Sequence, residues 1–246
     1  MQRMLSGIVA AASVWLSAQP ARAEVRDLTR TIAGLTVRYK VVLPAGYDPS
    51  KAYPAVLAFS GGSQAENTVQ MDLRRNWRDQ AERRGYIVVI AAAPEGRLFF
   101  DGGERIFPEF FRVILSEYKI LDGKFHAAGP SNGGISAFFI AALYPQYFRS
   151  VTGFPGYLPN ATPDRVKALS NLCIYMFAGE QDRDWSAEMD QQSRVFRAQG
   201  LKVRTSVEKG QPHLIGTLAG EGAARLFDQF DEARRGCSAE PLRDGR

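Results

Sequence analysis

The chain has few of the side chains that metal centres use, with two cysteines and two histidines among its 246 residues. No two of these four stand at the close spacing of zinc ligands, so the sequence predicts neither a metal site nor a cofactor. Cys173 lies in an apolar, strand-like run and Cys237 near a polar tail, and we expect two unpaired thiols. An oxidising compartment would allow a bridge if their α-carbons came within roughly 7 Å.

Long apolar runs are also scarce. The longest, residues 4–18, is interrupted by serine and glycine and falls short of the roughly 18 uninterrupted apolar residues of a membrane span. Arg3 precedes it and Ala21-Arg22-Ala23 follows, which is the pattern of a secretory signal. We therefore expect a signal peptide over residues 1–23, a mature domain over 24–246, export to the periplasm or the medium, and no stable membrane association after cleavage.

The charge pattern shows no basic patch of the kind that binds nucleic acid. The formal charge is +5, and the basic residues form scattered pairs such as Arg74-Arg75 and Arg83-Arg84 on helix-like stretches that also carry Glu and Asp. Solvated helix faces explain this arrangement better than a nucleic-acid footprint. A hydrophobic content of 45% and the absence of repeats fit one globular domain with a substantial core.

Strand-like and helix-like segments alternate along the chain with short connections. Residues 35–43 alternate between apolar and polar side chains, and short apolar runs recur at 55–59, 86–93, 125–129, 151–154, 172–178 and 201–207. Helix-like stretches lie at 68–84, 107–118, 132–144, 164–169, 187–199 and 218–234. The alternation predicts an α/β fold, in which a mostly parallel central sheet carries helices on both faces. Reactive residues of such a fold lie beyond the carboxyl ends of the strands.

The sequence Gly129-Pro130-Ser131-Asn132-Gly133 has the G-x-S-x-G pattern and stands between a predicted strand and a predicted helix. A serine on such a tight turn needs residues almost without side chains two positions before and after it, and glycine fills both positions. The string alone would also suit a glycine-rich turn with an incidental serine. Its context predicts a nucleophile elbow with Ser131 as the nucleophile.

A serine hydroxyl needs a neighbouring base, and the chain has only His126 and His213. His126 lies on the strand that leads into the elbow and is predicted to be a core or edge histidine. His213 lies in a late loop before the last helix and is the predicted base. An acid must orient it, and Asp182, after a strand-like run, is preferred over the neighbouring Asp184 and Glu180.

Backbone N–H groups are predicted to stabilise an oxyanion. One belongs to Asn132, directly after the proposed nucleophile. The other belongs to the loop Ser60-Gly61-Gly62-Ser63, which closes an early strand and would otherwise be a flexible turn. Gly62 is the first choice there, ahead of Gly61 and Ser63, because a glycine backbone can approach a substrate closely.

The chain resembles the α/β-hydrolase superfamily, and within it secreted esterases similar to polyhydroxybutyrate depolymerases and to feruloyl or acetylxylan esterases. The resemblance covers about residues 37–230 and is most specific in Leu43-Pro44-Ala45-Gly46-Tyr47-Asp48-Pro49, in Gly129-Pro130-Ser131-Asn132-Gly133-Gly134 with Tyr144-Pro145, and in Gly179-Glu180-Gln181-Asp182. It implies hydrolysis of carboxylic esters by a triad of Ser131, Asp182 and His213. Ser60 departs from the family, which usually has histidine before the glycines of this loop.

The short chain between the predicted strands at 151–154 and 172–178 leaves no room for a large cap domain. We therefore expect an open site for a small-molecule or polymeric ester. Four aromatic residues near the strand ends would either line a pocket or pack as core: Phe99, Phe100, Phe154 and Tyr157. A peptidase or acyltransferase with the same triad, or a non-catalytic binding protein on the same fold, are the alternatives.

Overall fold

The computed structural model describes residues 23–237, so all of the predicted signal peptide except Ala23 lies outside the described residues. Its strands are β1 (Glu24–Ile32), β2 (Leu35–Leu43), β3 (Tyr53–Ala58), β4 (Ile87–Ala91), β5 (Ile120–Gly129), β6 (Phe148–Gly153), β7 (Cys173–Gly179) and β8 (Lys202–Glu208). Its helices are α1 (Glu66–Asp72), α2 (Arg78–Arg84), α3 (Phe107–Glu117), α4 (Asn132–Leu143), α5 (Pro163–Ala168), α6 (Arg183–Ala198) and α7 (Ala224–Arg235), and a π-helical turn (Leu73–Trp77) joins α1 to α2.

The eight strands form one sheet in the order β1-β2-β4-β3-β5-β6-β7-β8. The pairs β1–β2 and β2–β4 are antiparallel, and all other neighbours are parallel. This confirms the predicted α/β fold with a mostly parallel sheet. The order places β3 beside β5 and β7 beside β8, so the loops that follow these strands meet in pairs at one edge of the sheet.

Helices cover both faces of the sheet, as predicted. Successive strand residues point to opposite sides, so that Val41 and Leu57 belong to the core under α3 to α6, whereas Val42 and Val56 belong to the core under α1, α2 and α7. Helix α4 is buried over most of its length, which explains why its sequence is apolar on every side. Between β6 and β7 there is only the short helix α5 with its connections, so no large cap covers this edge.

Strand β1 is not expected from the sequence pattern. Among its residues only Ile32 is buried, so the strand lacks the apolar alternation by which a half-buried strand is recognised. It forms a hairpin with β2 through Ala33 and Gly34, which have φ values of 51° and 77°. Positive φ at both positions is typical of the tight turns that join antiparallel strands. An edge position therefore explains the polar sequence.

Cys173 and Cys237 form a disulfide, with their α-carbons 5.6 Å apart. The expectation of two unpaired thiols is wrong. Helix α7 packs on the sheet and returns the chain to the start of β7, where Cys173 lies. The two cysteines are 64 positions apart in the sequence, so this proximity arises from tertiary packing, which local sequence pattern does not reveal.

Within the described range, residues 23–237, no helix is long and apolar enough to cross a membrane.

Candidate active site

Ser131 lies on a sharp turn between the end of β5 and the start of α4, with φ 55° and ψ −127°. This conformation is strained for a residue with a side chain and persists only where its surroundings hold it. The N–H of Ser131 donates to the carbonyl of Pro155 at 2.8 Å. A Cβ on Gly129 or on Gly133 would overlap the carbonyl oxygen of Phe59. The two glycines of the G-x-S-x-G sequence are therefore required by the close approach of β3 to the turn.

Two hydrogen bonds join Ser131, His213 and Asp182. The Nε2 atom of His213 lies 2.9 Å from Oγ of Ser131, and its Nδ1 atom lies 2.6 Å from Oδ2 of Asp182. A carboxylate can only accept, so Nδ1 carries the proton and Nε2 is left to accept from the serine hydroxyl. The Asp182 side chain is 13% exposed and that of His213 is 36% exposed, so the imidazole opens to solvent whereas the carboxylate is shielded.

The loops after β7 and β8 are joined by hydrogen bonds. The N–H of Gln181 donates to the carbonyl of Gln211 at 2.9 Å. Glu180, one of the alternative acids, accepts instead from the N–H of Gly210 at 2.8 Å through Oε2. Asp184 is exposed at the start of α6, and both imidazole nitrogens are engaged by other residues. Of the three candidate acids, only Asp182 is hydrogen-bonded to His213.

His126 lies in the core, as the sequence analysis predicts. It is 1% exposed, its Nδ1 lies 2.7 Å from Oγ of Ser150, and its ring stacks on Phe230 with centroids 4.9 Å apart. Burial lowers the pKa of His126 to about 3, and the charges of Arg149 and Arg234 act in the same direction. This histidine is therefore neutral at ordinary pH and takes no part in the site.

The loop at 60–63 lies beside the elbow because β3 and β5 are neighbours. The N–H of Gly61 donates to the Asp72 carboxylate at 2.8 Å, so it is already engaged. The N–H groups of Gly62 and Asn132 donate to no other described residue. The Asn132 side chain donates to the carbonyl of Gly62 at 2.9 Å. This bond ties together the two residues that are predicted to bind an oxyanion.

Gln64 connects three parts of the site. The sequence gives no indication of this role, apart from the position of Gln64 shortly after two glycines. It is fully buried with φ 55°. Its Nε2 donates to Oγ of Ser136 at 2.8 Å and to the carbonyl of Asn132 at 3.3 Å, and its Oε1 accepts from the N–H of Phe99 at 3.0 Å. The glutamine thus fixes the loop after β3 against α4 and against the loop after β4.

One aromatic side chain, that of Trp185, packs against the imidazole of His213. Trp185, which the sequence analysis does not single out, approaches His213 edge to face with centroids 4.9 Å apart, and Tyr157 lies 5.1 Å from Trp185. Phe99 and Phe154, two of the aromatic residues that would line a pocket or pack as core, are buried in the core at 1% and 2% exposure. Phe100 is partly buried against the same core, so of the four only Tyr157 contacts a ring that packs on the imidazole.

No protein-family model matches the chain, and no curated protein matches it in sequence. Solved structures do match. A ferulic acid esterase has 17% identity and a TM-score of 0.67, over 88% of this chain and 99% of that chain. The chain has the α/β-hydrolase fold. A feruloyl esterase module from Clostridium thermocellum has 17% identity and a TM-score of 0.62, over 96% of this chain and 95% of its own. An S-formylglutathione hydrolase from Agrobacterium tumefaciens has 15% identity and a TM-score of 0.62, over 87% and 96%.

At these identities the likeness is one of fold. The side chains of Ser131, His213 and Asp182 all follow the carboxyl ends of parallel strands. The free N–H groups of Gly62 and Asn132 lie at the same edge. Open α/β sheets bind their ligands at this edge.

Proposed function

We propose that this protein is a serine esterase, which hydrolyses carboxylic esters through an acyl-enzyme intermediate on Ser131. The observation that carries the proposal is the unbroken hydrogen-bonded series Asp182–His213–Ser131, with distances of 2.6 Å and 2.9 Å, on a strained turn at an uncapped edge of the sheet. A nucleophile within reach of a base that is itself oriented by an acid is the arrangement that acyl transfer requires.

In the proposed reaction, Nε2 of His213 takes the proton of Ser131 while Oγ forms a bond to the carbonyl carbon of the ester. The carbonyl π electrons move to its oxygen, and the N–H groups of Gly62 and Asn132 donate to the resulting oxyanion. The oxyanion collapses, the bond to the alcohol oxygen breaks, and His213 delivers its proton to that oxygen. Water then repeats the sequence and releases the acid. Asp182 holds Nδ1–H and stabilises the imidazolium.

We propose short acyl or aryl esters, free or at the ends of polymers, as substrates. The uncapped edge between β6 and β7 admits a bulky substrate, and Trp185 with Tyr157 offers an aromatic surface beside the base. The structural neighbours that carry esterase names, among them the ferulic acid esterase, support the same class.

We also propose that the protein is exported, with its signal peptide removed. Disulfides persist in oxidising compartments outside the cytoplasm, so the bridge between Cys173 and Cys237 supports this placement. Cell fractionation should recover the protein without its leader from the periplasm or the medium. Recovery of the unprocessed chain in the cytoplasm would contradict the proposal.

Labelling by a fluorophosphonate probe tests the catalytic assignment, together with rates on p-nitrophenyl esters of increasing acyl length. Both should be lost in Ser131→Ala and retained in Ser63→Ala, which removes an exposed hydroxyl from the neighbouring loop but keeps its N–H group. Equal labelling of the wild type and Ser131→Ala would contradict the assignment. Faster cleavage of peptide amides than of esters would identify a peptidase, and absence of both labelling and hydrolysis would identify a binding protein.

A further inference from the structure

A narrow cleft opens beside the proposed nucleophile, on the side of the π-helical turn Leu73–Trp77. Its walls include Pro130, which precedes Ser131, and Leu214, which follows His213. Met71 and Arg75 face these residues from the helical segment. We refer to this space as the arginine cleft. Its position within one residue of both the nucleophile and the base makes it part of the surface that a bound ester would cover.

The rim of the arginine cleft is apolar and exposed. Met71 is 46% exposed and Leu214 is 50% exposed, whereas Phe154 and Ile215 form a buried apolar floor. Large apolar side chains left in water at both sides of a cleft gain free energy when a ligand covers them, by about 25 cal/mol per Å² of apolar surface. The rim therefore fits the apolar body of a substrate group.

Two polar groups of the cleft lack partners. Arg75 is partly buried and has no hydrogen bond or ion pair with another described residue; its guanidinium acts on the Asp72 carboxylate only through the electric field. Asn76, 3% exposed, donates through Nδ2 to the carbonyl of Leu218 at 2.7 Å, but its Oδ1 has no partner within residues 23–237. A buried acceptor without a donor costs free energy, but this oxygen is shielded from solvent, so of the two groups a ligand can reach only Arg75.

The π-helical turn explains how Arg75 and Asn76 come to line the cleft. Such turns widen the helix by one residue, change the direction of the side chains and occur often at functional sites. Asp72, at the end of α1, also lines the cleft, but its carboxylate is 3% exposed and accepts the N–H of Gly61. The accessible charge in the cleft is therefore the positive charge of Arg75.

We propose that the alcohol part of the ester lies across the rim of the arginine cleft, over Met71 and Leu214, and that Arg75 binds a carboxylate carried on that alcohol. The inference rests on the proposed esterase function, because His213 must deliver a proton to the leaving oxygen and Leu214 and Ile215 follow it directly in the chain. A guanidinium offers two parallel N–H donors to a carboxylate, and the pair is stronger where it is partly shielded from water.

The test compares two substrates that differ in one charge, 4-acetoxybenzoate and its methyl ester, each hydrolysed to acetate and the corresponding phenol. The quantity measured is the ratio of kcat/KM for the carboxylate to kcat/KM for the methyl ester. In Arg75→Gln this ratio should fall about fivefold to tenfold, mainly through KM of the carboxylate. Arg75→Lys should retain part of it. Arg74→Gln, which removes the exposed arginine directly before Arg75, should leave the ratio unchanged.

Salt gives an independent readout, because about 0.5 M NaCl screens a partly exposed charge pair. It should lower the ratio in the wild type and have little effect in Arg75→Gln. An unchanged ratio in Arg75→Gln, or an equal fall in Arg74→Gln, would overturn the proposal. Equal losses on both substrates would overturn it too, since Arg75 would then act through Asp72 and the loop. Failure of the wild type on both esters would instead refute the esterase function, and full activity of Ser131→Ala would refute the role of Ser131.

Discussion

Replacement of Asp182 by asparagine tests the proposed catalytic series most directly. The carboxylate oxygen lies 2.6 Å from Nδ1 of His213, and its side chain is 13% exposed. Asparagine has nearly the same shape as aspartate but no charge, so the fold should tolerate Asp182→Asn. The new amide can still accept from Nδ1, but it no longer stabilises the imidazolium that forms when Ser131 loses its proton.

The size of the effect follows from the charge and its distance. A carboxylate about 4 Å from the centre of positive charge stabilises an imidazolium by about 4 kcal/mol at the effective dielectric constant of a partly shielded site, roughly 20. Loss of this term corresponds to a fall in kcat/KM of about 10³-fold. If the amide turns its NH₂ group towards Nδ1, the proton moves to Nε2 and the histidine cannot accept from Ser131. The loss then approaches 10⁴-fold.

Asp184→Asn is the matched control, because this residue lies two positions further on and is exposed at the start of α6. Its activity should stay within about twofold of the wild type, and its stability should change by at most about 1 kcal/mol through the helix dipole. The assay is kcat/KM on p-nitrophenyl butyrate, with circular dichroism to verify folding. A large loss in Asp184→Asn together with near-normal activity in Asp182→Asn would refute the assignment of the acid.

Three further predictions concern the frame of the site. Gln64→Leu should lower the free energy of unfolding by about 2–4 kcal/mol, since it leaves the hydroxyl of Ser136 and buried backbone groups unpaired; urea titration measures this, and kcat should fall more than KM rises. Reduction of the bridge between Cys173 and Cys237 should lower stability by up to about 4 kcal/mol in the chain-entropy account of a loop with 64 residues, and an unchanged urea midpoint with and without reductant would contradict this. His126 is neutral when folded, with a pKa of about 3, but has its ordinary pKa of 6.5 when unfolded. Its contribution to stability is therefore complete above pH 6.5 and declines as the pH falls towards 3, by about 1.4 kcal/mol per pH unit; His126→Gln should remove this part of the pH dependence.

Features that depend on local geometry were accessible from the sequence. The elbow is one, because Gly129, Ser131 and Gly133 stand at fixed spacing between a strand and a helix, although the carbonyl that excludes side chains at the two glycines belongs to Phe59 after β3. The central strands are others, because continuous apolar runs of this length suit strands buried on both faces. Between two histidines, position in the chain was enough to separate a core residue from His213.

Features that depend on tertiary packing were not accessible. The disulfide exists because α7 crosses the face of the sheet, which neither cysteine's neighbours in sequence indicate. Gln64 is polar and follows two glycines and a serine, a pattern that resembles an exposed turn, although the side chain is fully buried among partners from α4 and from the loop after β4. Trp185 lies on the first turn of α6, and nothing in the sequence of this helix indicates that its side chain contacts His213.

The route of the histidine loop shows how the sheet order limits the site. His213 follows β8, three strand positions away from β5, so the loop must carry the imidazole back across about 14 Å to reach Ser131. It can do so only by lying directly on the end of β7. Gly179 occupies that end, and a Cβ there would overlap the carbonyl oxygens of Gln211 and Pro212. A side chain at Gly179 would push away the loop that carries His213, just as a side chain at Gly129 or Gly133 would disturb the turn that carries Ser131. The absence of a side chain at Gly179 is therefore as necessary to the contact between base and nucleophile as the two glycines of the elbow.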